Sequence, residues 1–168
     1  MVTIRPANSS DLKDILDINN HEILHSTINY DFVPKTLQEQ NLWFEEKVKQ
    51  GFPVLVALTE QKVVGFATYG TFRPKPGYRF TVEHSVYLEQ NHRGKGIGTA
   101  LLQELINLAK KAGIHVMVGG IDSSNYGSYL FHQKLGFQEI GRFKEVGHKF
   151  DRWLDIIFMQ LILEEKIP

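Results

Sequence analysis

Arg93-Gly94-Lys95-Gly96-Ile97-Gly98-Thr99 sets three glycines at alternate positions between a strand-like run, Phe80 to Leu88, and a helical one. The helical run carries Ile97, Leu101, Leu102, Leu105, Ile106, Leu108 and Ala109 on one face and ends at Gly113. Missing Cβ atoms let backbone N–H groups converge on an anion, and a helix N-terminus adds roughly half a positive charge. The segment therefore predicts a phosphate or pyrophosphate cradle. Two familiar cradles fail to match. A P-loop needs Gly-x-x-x-x-Gly-Lys-Ser/Thr, but Gly96 follows Lys95 and position 89 is Glu. The dinucleotide fingerprint Gly-x-Gly-x-x-Gly ends on Thr99 when counted from Gly94 and on Leu101 when counted from Gly96. A glycine turn without a ligand is the bland alternative, and the strand-to-helix position beside Arg93 and Lys95 weighs against it.

Outward from the cradle, the preceding strand alternates Val82, His84, Val86 and Leu88 on one face with Thr81, Glu83, Ser85 and Tyr87 on the other. A proline-rich loop, Thr71 to Arg79, leads into it. Before that loop, Val54 to Thr59 and Val63 to Tyr69 read as a hairpin around Glu60-Gln61-Lys62. Thr36 and Glu39 form a capping box for a helix that stops at Gly51 and Pro53. An earlier helix starts after Asn8-Ser9-Ser10-Asp11, follows a short strand at Val2 to Arg5, and fades near Ser26 to Asn29. Downstream, Val116 to Ile121 is a strand and Asn125 to Leu135 a helix stopped by Gly136. Phe137 to Ile140 opens a strand-rich tail reaching Leu163. Strand-helix-strand in the second half requires a parallel crossover, and the hairpin requires antiparallel pairing. The fold class is α/β with a mixed sheet flanked by helices.

With 168 residues, 42% of them apolar, one domain spanning 1–168 is expected. Nineteen basic residues balance nineteen acidic ones and no Lys/Arg run exceeds two, so a nucleic-acid partner is not expected. No apolar stretch approaches the ~20 residues of a membrane span. The first residues carry no secretory pattern, which makes the cytoplasm the expected location. Zero cysteines exclude disulfides, thiolate metal sites and a thiol nucleophile.

Arg93, Gly96 and Gly98 after the strand Val82 to Leu88 resemble the acetyl-CoA motif of the GNAT superfamily of N-acyltransferases. Asn125-Tyr126-Gly127-Ser128, then His132 and Leu135-Gly136-Phe137, resemble its second conserved helix. Strong matching covers about residues 81 to 140. Thr81 to Tyr87 and the late Gly147 to Asp155 are similar to the phosphinothricin and methionine sulfoximine N-acetyltransferase branch. The resemblance implies a central, mostly antiparallel sheet, acetyl-CoA as co-substrate, no metal, a small amine as partner and a homodimer. It implies pyrophosphate on Arg93, Gly94, Lys95, Gly96, Ile97, Gly98 and Thr99. Pantetheine would run along Val86, Tyr87 and Leu88, with Asn125 and Ser128 contacting the cofactor from the next helix.

An α-ammonium must lose a proton before it attacks a thioester, and direct attack within a ternary complex needs no enzyme nucleophile. Glu83 is the expected base, against the commoner fate of a solvated strand carboxylate. A backbone N–H near Val86 would meet the oxyanion. His132 stands where the superfamily commonly has a tyrosine and is the expected acid for the departing thiolate, with Tyr126 and Tyr129 as reserves. Packing beside Phe131 and Leu135 is its bland alternative. For an acceptor carboxylate, Arg73 and Arg79 flank the loop containing Gly77 and Tyr78, and Tyr30, Phe32 and Tyr78 would supply apolar walls. Two rival functions remain. One is a non-catalytic acyl-CoA-binding sensor. The other is a zinc peptidase through His21-Glu22-Ile23-Leu24-His25, with Glu45 as a third ligand. The zinc reading lacks the Gly-x-x-His that metzincins require and leaves the glycine cradle without a purpose.

Overall fold

Val2–Pro6 (β1), Val54–Thr59 (β2), Lys62–Thr71 (β3), Thr81–Leu88 (β4), Val116–Asp122 (β5), Gln138–Lys149 (β6) and Arg152–Ile162 (β7) form one sheet. Its order is β1-β2-β3-β4-β5-β7-β6 in the computed structural model, which describes residues 2–163. Only β4 and β5 run parallel. The helices are Leu12–His25 (α1), Leu37–Lys49 (α2), Ile97–Lys111 (α3) and Tyr126–Lys134 (α4).

Local chemistry accounts for the helix starts. Asn8 Oδ1 accepts from the Ser10 amide at 2.9 Å while Asp11 Oδ2 accepts from the Asn8 amide at 2.8 Å. Arg5 clamps the same Asp11 carboxylate with two bonds of 2.7 and 2.8 Å. The predicted Thr36–Glu39 box closes through bonds of 3.2 and 2.7 Å. The hairpin turn between β2 and β3 uses Glu60 and Gln61 at φ 51° and 68°, left-handed angles taken here without glycine.

Alternation in the strands splits the core into two layers. Leu55, Ala57, Val64, Ala67, Val82, Met117, Ile157 and Met159 meet the apolar stripe of α3 on one face. Val54, Val56, Val63 and Phe66 meet Leu12, Ile15 and Ile18 of α1 on the other. At roughly 25 cal/mol per Å², each fully buried Leu or Ile contributes about 2 kcal/mol to holding a helix on the sheet.

The pairing of β4 is what positions the site. It pairs with β3 along its whole length, from Thr71↔Val82 to Gly65↔Leu88, but with β5 only at Thr81, Val82 and Glu83. Beyond Glu83 the two parallel strands part. Backbone groups that β4 turns away from β3 are left facing a cleft.

Candidate active site

The cradle has the backbone its glycines were expected to permit. Gly94 and Gly96 sit at φ 73° and 80°, and a Cβ at either would meet nothing within 4 Å. Left-handed backbone beside open space is what an anion needs to approach main-chain amides closely. The first helical bond of α3 runs from the Ala100 amide to the Gly96 carbonyl at 3.1 Å, so the N–H groups of Ile97, Gly98 and Thr99 are free for a ligand. Gly98 serves closeness instead: a Cβ there would lie 3.3 Å from Leu88 and 3.6 Å from Phe131. Lys95 and Thr99 are exposed at the rim. Arg93, also exposed, donates to the Leu88 carbonyl at 3.4 Å and pairs with Glu22 of α1. On α4, Asn125 Oδ1 caps the helix by accepting from the Ser128 amide at 3.0 Å.

Glu83 occupies the last rung before the strands part, opposite Val118. Its carboxylate is half-buried, makes no hydrogen bond or ion pair among the described residues, and lies 3.4 Å from where a Cβ of Gly120 would stand. Burial pushes its pKa above the usual carboxylate range. On the opposite face of β4, His84 stacks against His132 of α4 with ring centroids 5.1 Å apart and Nε2 atoms 3.2 Å apart. His132 Nδ1 lies 2.7 Å from the Ser128 carbonyl, so that nitrogen carries a hydrogen and donates it. Neutral His132 then accepts at Nε2 from His84. Burial lowers the pKa of both rings, to about 3 for His84. His132 is thus packed as the neutral partner of His84, its Nδ1 hydrogen held by the Ser128 carbonyl. Gly119 leaves room for the pair, since a Cβ there would stand 2.9 Å from His84 Nε2.

The remaining expected residues lie on two loops, Tyr30 and Phe32 between α1 and α2, and Arg73, Gly77, Tyr78 and Arg79 between β3 and β4. Tyr30 sits half-buried in the loop between α1 and α2, with its hydroxyl buried and without a hydrogen-bond partner among the described residues, while Phe32 is exposed. Arg73 and Arg79 lie on the exposed loop before β4, stacked over Phe72 and Phe80 at 5.3 and 4.4 Å. Neither pairs with a carboxylate among the described residues. Tyr78 packs edge-on against Phe72, beside exposed Gly77. A cavity of about 390 Å³ opens on the Ser85 and Tyr87 face of β4, lined also by Asp31, Trp43, Lys47 and Thr68 among others. Burial lowers the Lys47 pKa to about 8, and its ammonium donates to the Tyr69 carbonyl at 2.8 Å.

The zinc reading loses its central residue. His21 and His25 are exposed with rings 4.8 Å apart, but Glu22 is 1% exposed and committed to Arg93, and Glu45 stands on α2. No trio of His, Cys, Asp or Glu able to hold a metal occurs among the described residues. No helix among them is long and apolar enough to cross a membrane.

Residues 18–137 match the acetyltransferase (GNAT) family. The chain belongs to the GNAT acetyltransferase family. An L-methionine sulfoximine/L-methionine sulfone acetyltransferase from Pseudomonas aeruginosa is 45% identical over 163 residues, 96% of this chain and 95% of that one. An N-acetyltransferase structure from Staphylococcus aureus superposes with a TM-score of 0.96 at 44% identity, covering 98% of this chain and 99% of that one. A Salmonella typhimurium acetyltransferase solved with its cofactor acetyl-CoA superposes at 0.96 and 42% identity, covering 99% and 96%. This GNAT chain fits acetyl-CoA on its own geometry: open space over Gly94 and Gly96, free amides at the start of α3, and the unpaired edge of Val86, Tyr87 and Leu88. Sequence reasoning read Glu22 only within the zinc motif and gave His84, Gly119 and Lys149 no role, since Arg93 and the partners of His84 and Lys149 are distant in the chain.

Proposed function

We propose that this protein transfers the acetyl group of acetyl-CoA to the amino group of a small amino-acid-like acceptor, of the methionine sulfoximine, methionine sulfone or phosphinothricin type, within a ternary complex. The observation that carries the reading is Glu83: an unpaired, half-buried carboxylate at the point where β4 and β5 part, on the strand that leads into the anion cradle. Acetyl-CoA, when bound, supplies an activated thioester carbonyl. The amides of residues 94–99 hold its pyrophosphate, and Asn125 and Ser128 meet it from α4. Glu83 takes the proton from the acceptor ammonium, and its raised pKa makes it a better proton acceptor than an ordinary carboxylate. The Val86 N–H donates to the carbonyl oxygen, and as the amine bonds the carbonyl carbon and the C–S bond breaks, the departing thiolate would take the proton released by the acceptor nitrogen. Arg73 or Arg79 holds the acceptor carboxylate, with Tyr30, Phe32, Gly77 and Tyr78 around it. Two chains assemble as a homodimer.

The test is a panel of methionine sulfoximine, methionine sulfone, phosphinothricin and peptide amines, incubated with acetyl-CoA and followed by free thiol release. Release with the three amino-acid analogues above the no-amine control is expected. Brisk acetylation of peptide amines alone would move the chain to protein acceptors. Acetyl-CoA binding without transfer to any amine would make it an acyl-CoA-binding sensor.

A further inference from the structure

The carboxylate of the His21-Glu22-Ile23-Leu24-His25 run has a use that zinc chemistry does not account for. Glu22 Oε1 pairs with Arg93 beside the cradle. Its Oε2 accepts from the Ser26 hydroxyl at 2.6 Å. The Ser26 carbonyl accepts from the Lys149 ammonium at 2.8 Å, and the Asn29 carbonyl from the same ammonium at 2.5 Å. Arg93, Glu22, Ser26 and Lys149 thus form one continuous polar chain from the cradle to the loop between α1 and α2.

Two of the four members are interior charges, Glu22 at 1% and Lys149 at 2% exposure. Charged side chains are almost never this buried unless they are paired, because desolvation opposes it. Lys149 answers that cost at a favourable place: Ser26 is the C-cap of α1, where the helix dipole makes carbonyls strong acceptors for a cation. The same hairpin tip grips the loop a second time. A Cβ at Gly147 would stand 2.4 Å from Tyr30 Cε2, so the tyrosine ring rests on bare backbone. At its far end the loop is tied by Asn20, which accepts from the Lys35 amide and donates to its carbonyl at 2.8 and 2.9 Å. Between these ties lie Tyr30 and Phe32.

We propose that Glu22 and Lys149 are positioning residues that set the acceptor-side loop against the coenzyme A cradle, so that acceptor affinity depends on both although neither touches the acceptor. This rests on reading the loop as the acceptor side of an acetyltransferase site. Lys149→Met keeps the apolar stem and removes the donor, and Ser26→Ala removes the hydroxyl link to Glu22 together with the bond that the hydroxyl accepts from the Ile28 amide at 3.1 Å. Amide hydrogen exchange across residues 26–36 is expected to rise about tenfold in Lys149→Met while α3 stays protected. The acceptor KM should rise about tenfold with kcat within about threefold, and the acetyl-CoA Kd should hold within about twofold. Ser26→Ala should move the loop exchange and the KM the same way by less. Glu22→Gln should raise exchange at residues 93–96 as well as in the loop.

Folded variants whose loop exchanges at the wild-type rate, or whose exchange rises throughout the molecule, would overturn the proposal. So would an unchanged acceptor KM. If Lys149→Met does not fold, Glu22→Gln decides through the joint rise at residues 93–96 and in the loop, which loss of the bond between Ser26 and Ile28 would not produce. Should the wild-type protein acetylate no amino-acid analogue, the function reading falls while the exchange data still decide whether the chain holds the loop.

Discussion

At Glu83, the burial that opposes stability is what the proposed base role uses, and that sets this carboxylate apart from one that holds the fold together. A carboxylate whose folded pKa is raised destabilises the folded state once ionised, so Glu83→Gln should leave Tm unchanged or slightly higher at pH 7. Turnover should fall by about 10²- to 10⁴-fold, the usual worth of a positioned base, with acetyl-CoA affinity retained in calorimetry. In the wild-type protein kcat/KM should decline as pH falls through the raised Glu83 pKa, and that limb should vanish in the variant. Normal turnover in Glu83→Gln would remove the residue from the chemistry. Gly96 gives a complementary test. Its φ of 80° lies beside open space, so an added methyl costs backbone strain rather than a clash. Gly96→Ala should lose about 1–2 kcal/mol, a Tm drop of a few degrees, and weaken acetyl-CoA about tenfold as the amides turn away. Asn at the same position tolerates the left-handed angle better and should do less damage.

Among the elements, the contact between β4 and α4 is the one most sensitive to acid. His84 and His132 are neutral when folded, with pKa values below the 6.5 of free imidazole, that of His84 at about 3. Above pH 6.5 neither state is charged there and stability is complete; as pH falls from 6.5 toward 3 the unfolded chain binds protons that the folded one refuses. Thermal melts should therefore show Tm falling between pH 7.5 and 5. His84→Gln, which keeps a donor and cannot titrate, should flatten that slope; an unchanged slope would place its origin elsewhere. That this pair exists was not legible from the chain. Alternation placed His84 on the buried face of its strand and spacing placed His132 on a helix, but 48 residues separate them and nothing local joins the two. The left-handed backbone at Gly94 and Gly96, by contrast, was legible because glycine at the strand-to-helix junction is itself the signal. The tail lay in between. A strand-rich segment was evident, yet the hairpin inside it turns on Phe150 and Asp151 at φ 53° and 54°, with register shifts near Glu139 and Phe143. Left-handed angles without glycine hide a turn from any reading of residue types.

On the scale of the whole molecule, the sheet ends on β6, twelve residues long and mostly exposed. A long edge strand with unpaired backbone groups recruits other chains unless something covers or interrupts it. Arg142, Lys144 and Glu145 and the two register shifts interrupt β6, which argues against open-ended pairing. Yet Ile140, Phe143, Val146, Phe150 and Trp153 are exposed at this end of the sheet, and that much apolar surface in one region of a monomer calls for a cover. A two-fold contact between copies closes on itself and buries such a surface on both partners at once. Light scattering should therefore return twice the 19.3 kDa of one chain. Val146→Glu combined with Trp153→Glu places charge in the contact without touching Glu83 or the cradle, and should halve that mass while acetyl-CoA affinity stays within about twofold. A wild-type mass of one chain, or a double variant that remains a dimer, would show that this end of the sheet is not where two copies meet.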